Sequence, residues 1–225
     1  HQQISYAALR TCEELQQAGY AAYIVGGGVR DLLLGRAPKD FDVATDASPE
    51  EVLRVFRRSR LIGRRFKIVH VMFGRETIEV TTFRSAQTNG QTDAHGRMLN
   101  DNEFGTRDED ALRRDFTVNA MALRLPDLEL VDPHEGLADL EAGVLRTPVG
   151  SVQSFDDDPL RIMRAARFAA QLGFEVEPEV MSAMEEMAGR LEIVSAERVR
   201  AELERLLVSP WPRRGLELLV HTGVA

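Results

Sequence analysis

A chain of 225 residues, 44% hydrophobic and 28% charged, has an ordinary globular composition with room for one large domain or two small ones. Its net charge of −8 argues against a strongly basic nucleic-acid binder, and its single cysteine, Cys12, excludes disulfides and cysteine-based zinc sites while fitting a reducing compartment. No apolar run approaches a membrane span and no signal-peptide pattern opens the chain, so a cytoplasmic protein follows.

Residues Ile4 to Gln17 carry a helical pattern that Gly19 ends. The apolar run Ala21 to Val25 then reads as a buried strand, and Gly26-Gly27-Gly28 feeds a helix over Val29 to Leu34. A glycine turn at a helix start leaves backbone N–H groups free for an anion such as a phosphate. The run is not a dinucleotide fingerprint, because Asp31 stands where the third glycine of G-x-G-x-x-G belongs, and the chain has no Walker A loop. After Gly35-Arg36-Ala37-Pro38, the segment Asp40 to Ala44 reads as a strand with Asp40 and Asp42 on one face. Carboxylates about 7 Å apart along a strand can share hard cations such as Mg²⁺.

Ser48-Pro49-Glu50-Glu51 opens a helix through a capping box, with Val52, Leu53, Val55 and Phe56 turned inward. Strands Ile68–Phe73 and Thr77–Phe83 flank a hairpin turn at Gly74-Arg75-Glu76, and alternation sets Glu79 on the face opposite Ile78 and Val80. Glu79 is then either a surface residue of a one-sided sheet or a third carboxylate beside Asp40 and Asp42. Residues 85–108 are polar and glycine-containing, and read as a long mobile loop.

Arg113-Arg114 offers planar, charge-assisted donors suited to triphosphate oxygens. Read as a strand, Thr117 to Leu125 sets Asn119 on one face with Thr117, Met121 and Leu123. Asp115 lies just before it and competes with Glu79 as the third carboxylate. Leu128–Val131 and Val144–Arg146 read as short edge strands around an acidic turn, Asp132 to Gly143. None of the five histidines makes a metal-ligand spacing.

A second region begins near Gly150. Asp158 and Pro159 suit the N-cap and first position of a helix running to Leu172 and stopped by Gly173. Its apolar face is Ile162, Met163, Ala166, Ala169 and Ala170, with Arg161, Arg164 and Arg167 on the opposite side. Helices then follow over Val176–Glu192, from Ser195 to Val208, and after Ser209-Pro210-Trp211-Pro212.

The run Val25-Gly26-Gly27-Gly28-Val29-Arg30-Asp31, followed by Asp40-Phe41-Asp42, resembles the head of the class II tRNA nucleotidyltransferase and bacterial poly(A) polymerase family, in the DNA polymerase β superfamily. The resemblance extends through Glu79-Val80-Thr81-Thr82-Phe83-Arg84, Arg113-Arg114-Asp115-Phe116-Thr117-Val118-Asn119-Ala120, and the R-x-x-R-x-x-R-F run from Arg161 to Phe168. It implies an α+β fold: a nucleotidyltransferase head over residues 1–149 with a small mixed sheet, then an all-helical neck over 150–225. It also implies template-independent addition of nucleotides to RNA 3′ ends with release of pyrophosphate. Asp40 and Asp42 would hold two Mg²⁺ ions, with Glu79 or Asp115 as the third catalytic carboxylate. Gly26, Gly27 and Arg30 would engage phosphates of the substrate ATP. Arg114, Asn119, Asp158, Arg161, Arg164 and Arg167 would serve the nucleotide, with Asp158 and Arg161 reading the base edge.

Asp157 departs from the family's usual Glu at that place, and Glu197-Arg198-x-x-x-Glu202-Leu203 reads as a structural pairing. Leu61-Ile62-Gly63-Arg64-Arg65-Phe66 resembles the poly(A) polymerase branch more than the CCA-adding branch. A catalytically silent RNA-binding protein of the same fold is a third reading. The chain starts without Met and stops just after a helix, so more helical body and RNA-binding surface are expected beyond Ala225.

Overall fold

A computed structural model describes residues 3–64, 66–85 and 104–225. The chain forms two compact units, one from residues 1–114 and 119–134, the other from 115–118 and 135–225.

In the first unit the elements are α1 (Tyr6–Gln17), β1 (Ala22–Val25), α2 (Gly27–Leu33), β2 (Asp42–Thr45), α3 (Pro49–Val55), β3 (Ser59–Ile62), β4 (Ile68–Phe73), β5 (Glu76–Thr82), α4 (Arg107–Leu112), β6 (Ala122–Arg124) and β7 (Glu129–Val131). The strands make one mixed sheet in the order β3-β4-β5-β2-β1-β6-β7. Among the described residues, only the β2–β5 pair of this sheet is parallel. Apolar alternation decides which sheet face is covered. Val43, Val69, Val71, Ile78 and Val80 are buried, and α1 packs against β1, β2, β4 and β5 through Ala7, Ala8, Cys12 and Leu15. Local signals set the helix starts. Ser5 Oγ accepts from the Ala8 N–H, while Ser48 and Glu51 form the anticipated capping box ahead of α3. Gly74 takes φ 60° in the β4–β5 hairpin, a value that favours glycine.

Three expectations for this unit are corrected, the first being the helix read from Val29, which starts at Gly27 so that Gly27 and Gly28 are part of α2. The strand anticipated from Asp40 begins only at Asp42, because residues 39–41 still belong to the connection that runs past Gly28. Alternation therefore does not fix the direction of Asp40. The strand anticipated over Thr117–Leu125 is shorter: Thr117–Asn119 is a 3₁₀ turn and β6 starts at Ala122. Most of the anticipated loop, over 86–103, lies outside the described residues; at its far end Thr106 and Glu109 form a second capping box and start α4.

The second unit contains α5 (Gly136–Ala142), β8 (Val144–Leu145), α6 (Ser151–Asp157), α7 (Leu160–Leu172), β9 (Glu175–Val176), α8 (Pro178–Met187), α9 (Ala196–Leu207) and α10 (Pro212–His221). It is helical save for the parallel two-residue pair β8–β9. The acidic turn read over Asp132–Gly143 holds α5, and a helix not anticipated, α6, precedes α7. The helix read over Val176–Glu192 is α8, continued from Ala188 to Ile193 as a 3₁₀ stretch. Helix α7 is central, with α6, α9 and α10 against it, and its anticipated apolar face is buried throughout. At Gly215 of α10 a Cβ would stand 2.7 Å from the Ala166 carbonyl oxygen, so only glycine allows α10 to lie this close to α7.

Candidate active site

The first unit builds its polar site around the β1–α2 turn. Gly26 has φ 75°, a left-handed value that an L side chain takes at a cost, and its carbonyl starts the hydrogen bonding of α2. A Cβ placed there would stand 3.5 Å from Arg114 Nη1 and 3.8 Å from Asp42 Oδ2. The turn, one carboxylate and one guanidinium thus meet at a single point. A Cβ on Gly27 would lie 3.2 Å from Arg30 Nη2, so the bare first turn leaves room for that guanidinium.

Arg30 is only 9% exposed. It donates from Nη1 to Asn119 Oδ1 at 2.7 Å, and from Nε and Nη2 to Asp31 Oδ1 at 3.1 and 3.0 Å. Two residues anticipated to serve the nucleotide are therefore joined to each other, with Arg30 fastening Asn119 to α2.

Asp42 and Glu79 are register partners across the parallel β2–β5 pair. Residues directly opposite share a sheet face. Burial pushes the Asp42 carboxyl up to about 6, helped by the charges of Glu79 and Asp40 and opposed by Arg114. On the far side of Glu79 stands its β4 partner His70, with Nε2 3.1 Å from Glu79 Oε1. His70 was not singled out in the sequence, since a lone histidine in a strand carries no metal-ligand spacing.

These neighbouring carboxylates suit a hard, oxygen-seeking cation, because the burden on Asp42 is the one a cation relieves. Among the described residues, however, no three His, Cys, Asp or Glu side chains are gathered as a ready-made metal set.

Asp110 is the residue that sequence reading missed. It is 2% exposed and lies three and four residues before Arg113 and Arg114 on and just after α4. Its Oδ1 accepts from Arg113 Nη2 at 2.9 Å and from the Arg84 N–H at 3.1 Å, and its Oδ2 accepts from Arg114 Nη2 at 3.0 Å. Burial alone would raise this carboxyl, but Arg114, Arg113 and the Arg84 N–H together hold it below the usual carboxylate range. The signal was present as D-x-x-R-R, an i,i+3 and i,i+4 pattern.

The second unit carries the remaining anticipated residues. Asp115 is 6% exposed; its Oδ2 lies 2.9 Å from Arg164 Nη2, and its Oδ1 accepts from the Phe116 N–H at 2.7 Å. Arg161 donates from Nη1 to the Ser154 carbonyl and hydroxyl oxygens at 3.2 and 3.1 Å. Asp158 caps α6 from its backbone, while its Oδ1 accepts from the Leu160 N–H at 3.2 Å.

Arg167 departs from the reading of one arginine face. It is 6% exposed, ion-paired with Glu202 through Nε, hydrogen-bonded to Gln171 at 3.1 Å, and stacked 4.2 Å over the Phe168 ring. Only Arg161 and Arg164 stay partly exposed, because on a helix Arg167 falls toward α9, where Glu202 is buried. Glu202 is thus structural, though its partner is Arg167 on α7 and not Arg198 of the anticipated i,i+4 pairing.

Comparison with known proteins gives the site a context. A family model described as "Poly A polymerase head domain" matches residues 22–146, and one described as "Probable RNA and SrmB- binding site of polymerase A" matches residues 173–225. Poly(A) polymerase I of Escherichia coli is 44% identical over 223 residues, covering 96% of this chain and 48% of that protein. The CCA-adding enzyme of Streptococcus pneumoniae is 42% identical over 215 residues, covering 96% and 53%. Among solved structures, the Bacillus stearothermophilus CCA-adding enzyme in complex with CTP superposes with a TM-score of 0.86 at 37% identity, covering 96% of this chain and 52% of that one. The chain spans about half the length of the curated relatives it matches.

Proposed function

Because the chain belongs to the poly(A) polymerase head-domain family, with an α+β nucleotidyltransferase fold, we propose that it is the nucleotide-adding part of an RNA 3′-end adenylyltransferase. In this reading residues 1–149 are the catalytic head and 150–225 a nucleotide-recognition and RNA-binding neck. The reaction is attack of an RNA 3′-hydroxyl on the α-phosphate of ATP, with AMP joined to the RNA and pyrophosphate released.

The observation that carries the proposal is the meeting of Gly26, Asp42 and Arg114, with Glu79 in register beside Asp42. Asp42 and Asp40 would hold Mg²⁺, which when bound supplies charge neutralisation and activation of the attacking oxygen. Arg114, anchored by Asp110, presents its guanidinium toward the triphosphate, and the bare turn at Gly26 and Gly27 lets phosphate oxygens approach the α2 backbone. Glu79 is favoured over Asp115 as the third carboxylate because it is Asp42's strand partner, whereas Asp115 is committed to Arg164. In the neck, Asp158, Arg161 and Arg164 would present donors and acceptors to the base, and Arg167 would hold their helix in place.

A second reading, CCA addition, is favoured by the similarity to CCA-adding enzymes at 42% identity in sequence and at a TM-score of 0.86 in structure. An extension assay distinguishes the two. A tRNA lacking its CCA end and an unstructured RNA are each offered ATP or CTP with Mg²⁺. Addition of AMP runs to both RNAs supports polyadenylation; CMP addition confined to the tRNA supports the second reading; no addition to either would overturn both.

A further inference from the structure

The sheet continues past the carboxylates to an open, basic edge. Register partners run Asp42 on β2, Glu79 on β5, His70 on β4 and Arg60 on β3, so all four side chains lie in one row on one face. Strands stand about 4.8 Å apart, which places Arg60 three strands, or about 14 Å, from Asp42. Strand β3 ends the sheet. Around it Arg57, Arg58, Arg60, Arg64 and Lys67 are all exposed, and residues 57–67 contain no acid. This occurs in a chain whose net charge is −8.

None of Arg57, Arg58, Arg60 and Arg64 pairs with a carboxylate among the described residues, and Lys67 reaches Glu50 only at 3.8 Å. Elsewhere on this unit Arg10 lies on Glu13 and Glu14 and Arg124 on Asp127 and Glu129, while the exposed Arg36, Arg54 and Arg75 are scattered along the chain and not clustered with one another in sequence. An acid-free cluster of unpaired guanidiniums has the charge and the donors for phosphodiester oxygens.

We infer that the β3 edge of the head is an RNA-backbone site, which holds phosphates upstream of the 3′ end and lays the end along the sheet row toward Asp42. The inference rests on the adenylyltransferase reading for the role of the 3′ end, but the contact itself is one of charge and shape. It adds a head contact to whatever RNA surface the neck supplies, and it favours single-stranded RNA, whose backbone can follow a strand edge.

The test compares the full chain with a variant carrying Arg57→Ala, Arg58→Ala, Arg60→Ala and Arg64→Ala. A charge-matched control carries Arg10→Ala, Arg36→Ala, Arg75→Ala and Arg124→Ala. Fluorescence anisotropy of a labelled oligoadenylate is titrated across salt. The edge variant is expected to bind roughly tenfold or more weakly near physiological salt, with the log–log salt slope shallower by roughly 0.7 for each contact removed. The control should stay near wild type. In the extension assay the same variant should raise the KM for RNA and not that for ATP.

Equal binding by the edge variant and wild type overturns the inference, as does an equal loss in the control. An edge that instead pairs with a second copy through exposed Leu61 and Ile62 would show as a sedimenting dimer broken by Leu61→Lys with RNA affinity unchanged, and that also overturns it. Failure to extend any RNA defeats the adenylyltransferase reading alone, since anisotropy still decides whether the edge holds RNA.

Discussion

Asp42 and Glu79 stand side by side at the start of the parallel β2–β5 pair, with the Gly26 turn against Asp42 and His70 against Glu79. Two like charges held together in a partly buried position cost stability, and among the described residues the partner of Glu79 is His70 and not a lysine or arginine.

That arrangement predicts opposite effects of Asp42→Asn on stability and activity. Without divalent metal the Asp42 carboxyl titrates at about 6 in the folded chain against an ordinary value of 3.8. Its raised value means that the folded state gains from the proton. The contribution is full below pH about 4 and is lost as pH rises through about 6. Asp42→Asn should therefore stabilise the EDTA-treated protein by about 1–2 kcal/mol above pH 6 and by little below pH 4. Urea melts across pH measure this, and equal stability at pH 8 would refute the electrostatic account. Nucleotide addition by Asp42→Asn, and by Asp40→Ala, should fall below a tenth of wild type.

Asp110→Ala should be costly in both respects. It removes the shared acceptor of Arg113 and Arg114 and leaves a buried gap, a loss of about 2–3 kcal/mol because both guanidiniums are partly exposed. Since its carboxyl is held below the ordinary range, the contribution is present above that ordinary range and is lost as pH falls through the lowered value. Acid denaturation of wild type against Asp110→Asn reads this out, and the ATP KM of the variant should rise as Arg114 loses its anchor.

The arginines of α7 should separate cleanly. Arg161→Ala should relax the preference for ATP over CTP at a smaller cost in stability than the loss of a buried ion pair, since what it removes is neutral-acceptor hydrogen bonds to the Ser154 carbonyl and hydroxyl. Arg167→Ala should unfold the second unit more easily, by about 3 kcal/mol or more, because it leaves Glu202 buried and unpaired. Competition between ATP and CTP, set beside thermal melts, distinguishes a base reader from a strut. An Arg167→Ala protein of normal stability would reverse the assignment.

Burial pushes the Cys12 thiol up to about 12 inside α1. Thiol reagents at pH 8 should leave the native chain unlabelled and react only as denaturant releases α1 from the sheet. Fast labelling of the native chain would mean that α1 is not packed as described.

Much of this site could be read from sequence because local chemistry dictates it. The Ser48–Glu51 cap and the alternation of Ile78, Glu79 and Val80 each carry their own signal and formed as anticipated, while the glycine run gives the turn at Gly26 but starts α2 at Gly27, two residues before the expected Val29. What stayed hidden depends on partners distant in sequence or on weak local preference. The partner of Arg167 is 35 residues away on α9, so periodicity alone left it on the solvent side. Thr117–Asn119 has strand-like residues, yet the Thr117 N–H bonds to the Arg146 carbonyl and its hydroxyl donates to Asp139, which holds a tight turn instead. Helix α5 is short and acidic and starts without a side-chain cap, so it reads as a turn.

The chain crosses from the first unit to the second at Asp115 and returns at Asn119. Phe116 and Val118, fully buried, belong to the second unit's core, where Phe116 meets Phe168 edge-on at 5.9 Å. Neither unit is therefore a contiguous module that a gene could lose, duplicate or trade. A single cut after residue 134 would leave the second unit without Phe116 and Val118, so no uninterrupted stretch of a gene encodes that core without also encoding part of the first unit.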